Sequence, residues 1–250
     1  MSDEILVERD GAIATVVLNR AEKLNALTKP ILQGLGDTIS LLSADDGLRS
    51  ILLLCSVERS FSPCNDISEF ATVRASKAQA IEYGAIMHAT AQALESCRHP
   101  VVAQIHGICV GGGLEIAALA DIRICGESSR FGAPIKNLGL VMAYAEMAPL
   151  VALVGRAVAL EILLEGRVFD AREAKEKGLV TRVVPDGEVA AEARAAAERI
   201  AEGAPLAARW HKKFARRLAE GRDLTAAERD ECFDCFDTED FRIGYEAFLA

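Results

Sequence analysis

Apolar positions along the chain change period several times, and each change predicts an element. The stretch "ILVERDGAIATVVLN" (5–19) sets two β-rich runs around Asp10-Gly11, a tight-turn pair, and predicts a hairpin. "TKPILQGLGDTISLLS" (28–43) switches to helical spacing, opened by Thr28 with Pro30 inside the first turn. "SILLLCS" (50–56) and "VVAQIH" (101–106) are apolar runs of strand length, separated by a helical stretch over 76–97. "DIRIC" (121–125) and "GLVTRVV" (178–184) read as two more strands, and "DAREAKEKG" (170–178) as a helix with Asp170 as N-cap and Gly178 as stop. Strands alternating with helices predict an α/β class with parallel pairing. From about residue 186 the text turns rich in Ala, Glu and Arg and reads as helices only. The shift at "VVPDGE" predicts a core over 1–190 and a helical region over 191–250.

Composition narrows the class. With 250 residues, 51% of them hydrophobic, the chain can bury a sizeable core. No apolar run is read as reaching membrane-span length, and "MSDEILVERDG" lacks a signal-peptide pattern, so a cytoplasmic protein without membrane contact is expected. The formal net charge of -9 with no Lys/Arg block argues against a nucleic-acid surface. An anionic small ligand stays open, because helix N-termini bind anions. Seven scattered cysteines fit a reducing compartment. Cys232 and Cys235 form one C-x-x-C with neither a second pair nor nearby histidines, so no metal is expected.

The chemistry-bearing stretch is "HGICVGGGLEIA" (106–117). It lacks the spacing of a dinucleotide fingerprint and the Gly-Lys-Ser/Thr of a P-loop, and no G-x-S-x-G elbow occurs. A strand ending near His106 and a helix starting near Gly112 would leave unpaired N–H groups at the helix start. Glycine there lets a ligand oxygen approach closely. Glu115, three positions on, shares the helix face. Together they suit proton abstraction beside a carbonyl. A glycine-packed junction with Glu115 placed by the helix dipole is the plainer alternative. A second donor is expected in "RSFSPCNDISEF" (59–70), which follows a neighbouring strand and precedes a helix capped by Asp66; an ordinary loop is its alternative.

"NRAEKLNAL", "FSPCNDI", "HGICVGGGLEIAALADIRI", "FGAPIKNLGL", "AREAKEKGLVTRVVP" and "EDFRIGYEAFL", in that order, resemble the markers of the crotonase (enoyl-CoA hydratase/isomerase) superfamily over essentially the whole chain. The resemblance implies a crotonase-type spiral of ββα turns with a C-terminal helical region, assembled as a homotrimer or dimer of trimers. It implies acyl-CoA thioester chemistry through an enolate held by the backbone N–H groups of Asn65 and Gly112. Coenzyme A is then part of the substrate, and no further cofactor is expected. Glu115 falls on the family's first catalytic glutamate. Asn65, Asp66, Ile67 and Ser68 would meet the thioester end of CoA, and Lys23, Asn25 and Ala26 would line its entrance.

The chain also departs from the family pattern. Ile135 stands where a second glutamate is expected, and Ala143 where an acid often sits in isomerases or dehalogenases. One acid alone suits double-bond migration better than hydration. Glu146, one turn beyond Ala143, is a substitute acid or a surface glutamate of a first helical turn. Tyr144 is read as a hydrogen-bond donor or as packing. Pro63-Cys64 replace a small residue and Gly, and the Cβ of Cys64 would alter the loop's dihedrals or narrow the pocket. Asn65-Asp66 resembles a pair found in isomerase-like members. His106 is expected to be structural. A homologue that binds CoA without catalysis is the competing reading.

Overall fold

The computed structural model describes residues 3–249. Its strands are β1 (Ile5–Asp10), β2 (Ile13–Leu18), β3 (Ser50–Cys55), β4 (Ser60–Ser62), β5 (Val101–Ile105), β6 (Ile108–Val110), β7 (Ile122–Gly126), β8 (Arg130–Gly132), β9 (Val168–Asp170) and β10 (Arg182–Val184). The helices are α1 (Lys29–Ala44), α2 (Phe70–Val73), α3 (Lys77–Ser96), α4 (Gly112–Ala118), α5 (Tyr144–Glu165), α6 (Ala171–Glu176), α7 (Val189–Glu202), α8 (Pro205–Ala219), α9 (Ala226–Asp230) and α10 (Glu239–Leu249).

β1 and β2 form the expected antiparallel hairpin around Gly11, whose φ is +57°. α1 starts where its cap signal places it: the Thr28 hydroxyl accepts from the Ile31 N–H at 3.3 Å, with Pro30 in the first turn. A six-stranded sheet runs β1-β2-β3-β5-β7-β10, parallel from β2 onward. A second sheet, β4-β6-β8-β9, is built from three-residue strands too short to show a period in the sequence. A strand of the first sheet is followed by a strand of the second and then a helix, three times over: β3-β4-α2, β5-β6-α4 and β7-β8-α5. The fold is therefore a mixed α/β spiral of ββα turns. β3 pairs with β5 and β4 with β6, so the strand-to-helix crossings after β4 and β6 lie side by side.

The main core gathers Leu53, Phe61, Ile105, Leu114 and Phe131 with the inner faces of α1 and α3. A smaller cluster sets Ala193, Ala196 and Ala197 of α7 on Ile13, Leu52, Val102 and Ile124. α7, just past the expected division at residue 190, packs on the first sheet through its alanine face. From Pro205 onward none of α8, α9 and α10 buries a residue. α8 is tethered by Lys212, whose Nζ donates to Asp121 Oδ2 at 2.7 Å and to the His99 carbonyl at 3.1 Å.

α5 corrects the reading that no apolar run has membrane length. By length and composition it passes, with a mean hydropathy of 2.0. It is broken at Gly155 (φ 77°, ψ 160°), however, and neither half reaches the roughly 20 residues a span needs. Val151, Leu153, Val154 and Val158 pack on the main core instead.

Candidate active site

The two glycine-rich and Asn-Asp crossings meet. Leu27 bridges the donor loop in parallel: its N–H donates to the Cys64 carbonyl at 2.9 Å, and its carbonyl accepts from the Asp66 N–H at 2.7 Å. That pattern skips Asn65, so the Asn65 N–H points away from Leu27. α4 lies on the other side. A Cβ built on Gly112 would stand 3.2 Å from the Asn65 nitrogen, and one on Gly113 would stand 2.2 Å from the Ser62 carbonyl oxygen. The glycine run is thus required by close approach of α4 to β4 and its following loop, while Gly111 enters α4 at φ +52°. Among the described residues neither the Asn65 nor the Gly112 N–H has an oxygen acceptor. Burial pushes the Cys64 thiol up, with the Gly112 and Asn65 backbone opposing the rise. Cys64 itself takes an ordinary negative φ, so its Cβ does not strain the loop.

Glu115 sits in the first turn of α4, 9% exposed, with Oε2 lacking a protein partner. Burial pushes its carboxyl up to about 8; the charge of Glu146 adds to the rise, and Arg74 opposes it. Glu146 is half-buried in the first turn of α5, and its Oε2 is engaged with the Ala143 N–H at 2.9 Å. Ile135 packs on the core from the turn after β8. Tyr144 is 94% exposed and makes neither of the expected contacts within the chain.

Several predicted contact residues spend their side chains on the scaffold. Asn25 is buried in a left-handed conformation (φ 63°), where its Oδ1 accepts from the Arg20 N–H at 2.8 Å and its Nδ2 donates to the Ser60 carbonyl at 3.1 Å. Its side chain holds the turn. Asp66 pairs with Arg20 at 2.7 Å and accepts from the Ser68 N–H and hydroxyl; these hydrogen bonds, Ser68 first, hold its carboxyl down near 2. Lys23, Ile67 and Ser68 are exposed, and Ala26 is half-buried. The segment from Asn65 to Ser68 thus offers backbone and the Ile67 side chain, on a loop tied by Arg20 to the turn that carries Lys23 and Ala26. His106 is buried against Gln104 at 3.2 Å, and burial lowers its pKa, as suits a structural imidazole. Cys232 and Cys235 lie in the short turn after α9, each thiol donating to a nearby backbone carbonyl.

Arg74 is the residue near Glu115 that the sequence did not single out. It follows α2, and only the packing of α3 brings Tyr83 beneath it and places both beside α4; no local spacing signals that arrangement.

The enoyl-CoA hydratase/isomerase family model matches residues 8–250. A probable enoyl-CoA hydratase of Mycobacterium bovis is 33% identical over 249 residues, covering 99% of this chain and 95% of the relative. A short-chain-enoyl-CoA hydratase of Clostridium acetobutylicum is 31% identical over the same shares. Among solved structures, an enoyl-CoA hydratase/carnithine racemase from Magnetospirillum magneticum superposes with a TM-score of 0.97 at 46% identity, covering 100% of this chain and 93% of that one. Fold, motif order and these matches agree: the chain belongs to the enoyl-CoA hydratase/isomerase family.

Proposed function

We propose that the protein is an acyl-CoA-processing enzyme that shifts a double bond in an enoyl-CoA thioester, with Glu115 as its single acid/base. The observation that carries this reading is a buried carboxylate with an unpartnered oxygen, on a helix whose start packs close on the Asn65 loop and where neither the Asn65 nor the Gly112 N–H has an oxygen acceptor among the described residues. The thioester oxygen would take the hydrogen bonds of the Asn65 and Gly112 N–H groups. Glu115 as carboxylate would remove the C2 proton of a 3-enoyl-CoA, sending the electron pair through the dienolate onto that oxygen. Protonated Glu115 would then return the proton at C4, leaving the 2-enoyl-CoA. A carboxyl raised to about 8 is a stronger base than an exposed glutamate and needs no second acid for this transfer.

Hydration is the second reading, favoured by the charge of Glu146 reaching Glu115 and by the hydratase names of the relatives. Here Glu146 would leave the Ala143 N–H and share water activation and proton delivery with Glu115. The exposed faces of α8 and α10 support assembly as a homotrimer or dimer of trimers, and Lys23 and Ala26 would stand at the CoA entrance.

The test supplies a 3-enoyl-CoA and crotonyl-CoA to the wild type, Glu115→Gln and Glu146→Gln. Isomerisation is expected to outrun water addition, and Glu115→Gln to lose roughly 10²–10⁴-fold in turnover with CoA binding kept. Loss of hydration alone in Glu146→Gln would support the second reading. Unimpaired turnover in Glu115→Gln would refute the base assignment, and CoA binding without turnover in the wild type would leave the non-catalytic homologue.

A further inference from the structure

Arg74 has no role in the reaction above, and its surroundings give it one. Its guanidinium carbon lies 4.7 Å from the Phe70 ring centroid and 4.5 Å from that of Tyr83. Tyr83 is fully buried in α3, Phe70 is half-buried, and the Arg74 side chain is half-buried with them. The backbone carrying Arg74 is fixed as well: Gln79 donates from Nε2 to the Thr72 carbonyl at 2.9 Å and accepts from the Ala75 N–H at 2.9 Å. Among the described residues the guanidinium makes no ion pair and no hydrogen bond, although a guanidinium carries five donors in a fixed fork. Arg20, by contrast, is paired with Asp66 one loop away. Arg74 follows α2, the helix after the Asn65 loop, and Tyr83 beneath it packs in the same core cluster as Leu114 and Ile116 of α4, the helix that carries Glu115; its charge also acts on Glu115 and Cys64.

We infer that Arg74 is a specificity-determining residue that binds a carboxylate on the acyl group, so that the preferred substrates are CoA monothioesters of dicarboxylic acids. The inference rests on the acyl-CoA reading above and names its substrate class. Two aromatic faces hold the cation by ring attraction without consuming its N–H groups, and the acids nearest in the site do not bond to it. A carboxylate matches the fork in two parallel hydrogen bonds. A neutral alkyl tail placed there would leave the fork to water and gain nothing from the cation.

Calorimetric binding separates this from catalysis, because saturated thioesters do not turn over. The probes are the CoA monothioesters of butanedioic, pentanedioic and hexanedioic acid, each against the straight-chain acyl-CoA of the same carbon number, on the wild type, Arg74→Gln and Arg74→Lys. At least one diacid thioester is expected to bind roughly 10- to 100-fold tighter than its neutral partner, the range of a charge-assisted hydrogen bond. Arg74→Gln is expected to erase that preference and leave the neutral thioester's affinity unchanged, and Arg74→Lys to keep part of it. Equal affinities in the wild type, or an equal loss for both probes in Arg74→Gln, would overturn the assignment; the second result would mark a contact to CoA itself or a loosened segment. Failure of turnover on every enoyl-CoA, with the diacid preference intact, would instead overturn the reaction and leave Arg74 as the anion site.

Discussion

Glu115 concentrates the residue-scale consequences, because one buried carboxyl carries a cost to folding and, in the proposed reaction, the base. Its pKa lies near 8 when folded and near 4.5 when unfolded, a rise caused first by burial and then by the charge of Glu146, with Arg74 opposing. A raised carboxyl means that between pH 4.5 and about 8 the unfolded chain has released a proton that the folded chain still holds. Stability therefore falls as pH rises through that window. Glu115→Gln removes the titrating group with little change of shape. Its melting temperature is expected to match the wild type near pH 4.5 and to exceed it at pH 8.5, where the difference reaches at most a few kcal/mol. Each kcal/mol moves Tm by about 2–4 °C in a chain of this size. Thermal melts of both proteins across the window check this, and a difference that does not grow with pH contradicts a carboxyl buried as a neutral acid. As the proposed base the same group would act only when ionised, so kcat/KM for isomerisation should climb from pH 6 and level off above about 8. A flat profile would point to another base.

At the scale of elements, the glycine run separates packing from chemistry. A Cβ on Gly113 would meet the Ser62 carbonyl oxygen at 2.2 Å, a backbone atom that can yield only if α4 or β4 moves. Gly113→Ala is therefore expected to lose about 1–3 kcal/mol of stability, as overpacking does. A Cβ on Gly112 would instead meet the Asn65 Oδ1 at 2.7 Å, the end of a side chain without a partner that can turn aside, and would crowd the Asn65 nitrogen at 3.2 Å. Gly112→Ala should melt close to the wild type yet lose about 10²–10³-fold in kcat, the scale of a lost oxyanion donor. Paired melting and kinetic measurements distinguish the two, and an inverted order would mean that the donor space is not at Gly112. Legibility follows the same line. The apolar runs of β3 and β5, the Thr28 and Asp170 caps and the start of α4 at Gly112 were readable because each is a local signal. The second sheet was not readable from periodicity, since its strands are three residues long and exist through their neighbours; the family resemblance alone implied it. The hydrogen bonds by which buried Asn25 pins its turn are not legible in the sequence, and Arg74 is not either, because its position depends on how α2, α3 and α4 pack.

For the whole molecule, the tail poses the energetic question. Helices α8, α9 and α10 bury none of their residues in the single chain, while Phe233, Phe236, Ile243, Tyr245, Phe248 and Leu249 stand exposed, Phe248 by 88%. Phe236 meets Phe241 at a tilt with centroids 4.8 Å apart, and Phe241 stacks on Tyr245 at 6.1 Å, so these three rings form one surface rather than scattered side chains. A contiguous apolar face of this kind marks an association surface. The core also presents Val141 and Tyr144 at the start of α5, near Glu146, with little cover from their own chain. An assembly that covered both surfaces would remove water from the neighbourhood of Glu115 and strengthen the hydrogen bonds and charges there. Sedimentation is therefore expected to give a mass of three or six chains of 26.8 kDa, and Phe248→Asp with Tyr245→Asp to shift the population toward single chains. The shift should lower kcat/KM although neither position lies in the reaction site, and raising the protein concentration should restore part of the loss by mass action. A single chain of full activity would separate the tail from the chemistry, and the exposed aromatics would then need a different partner.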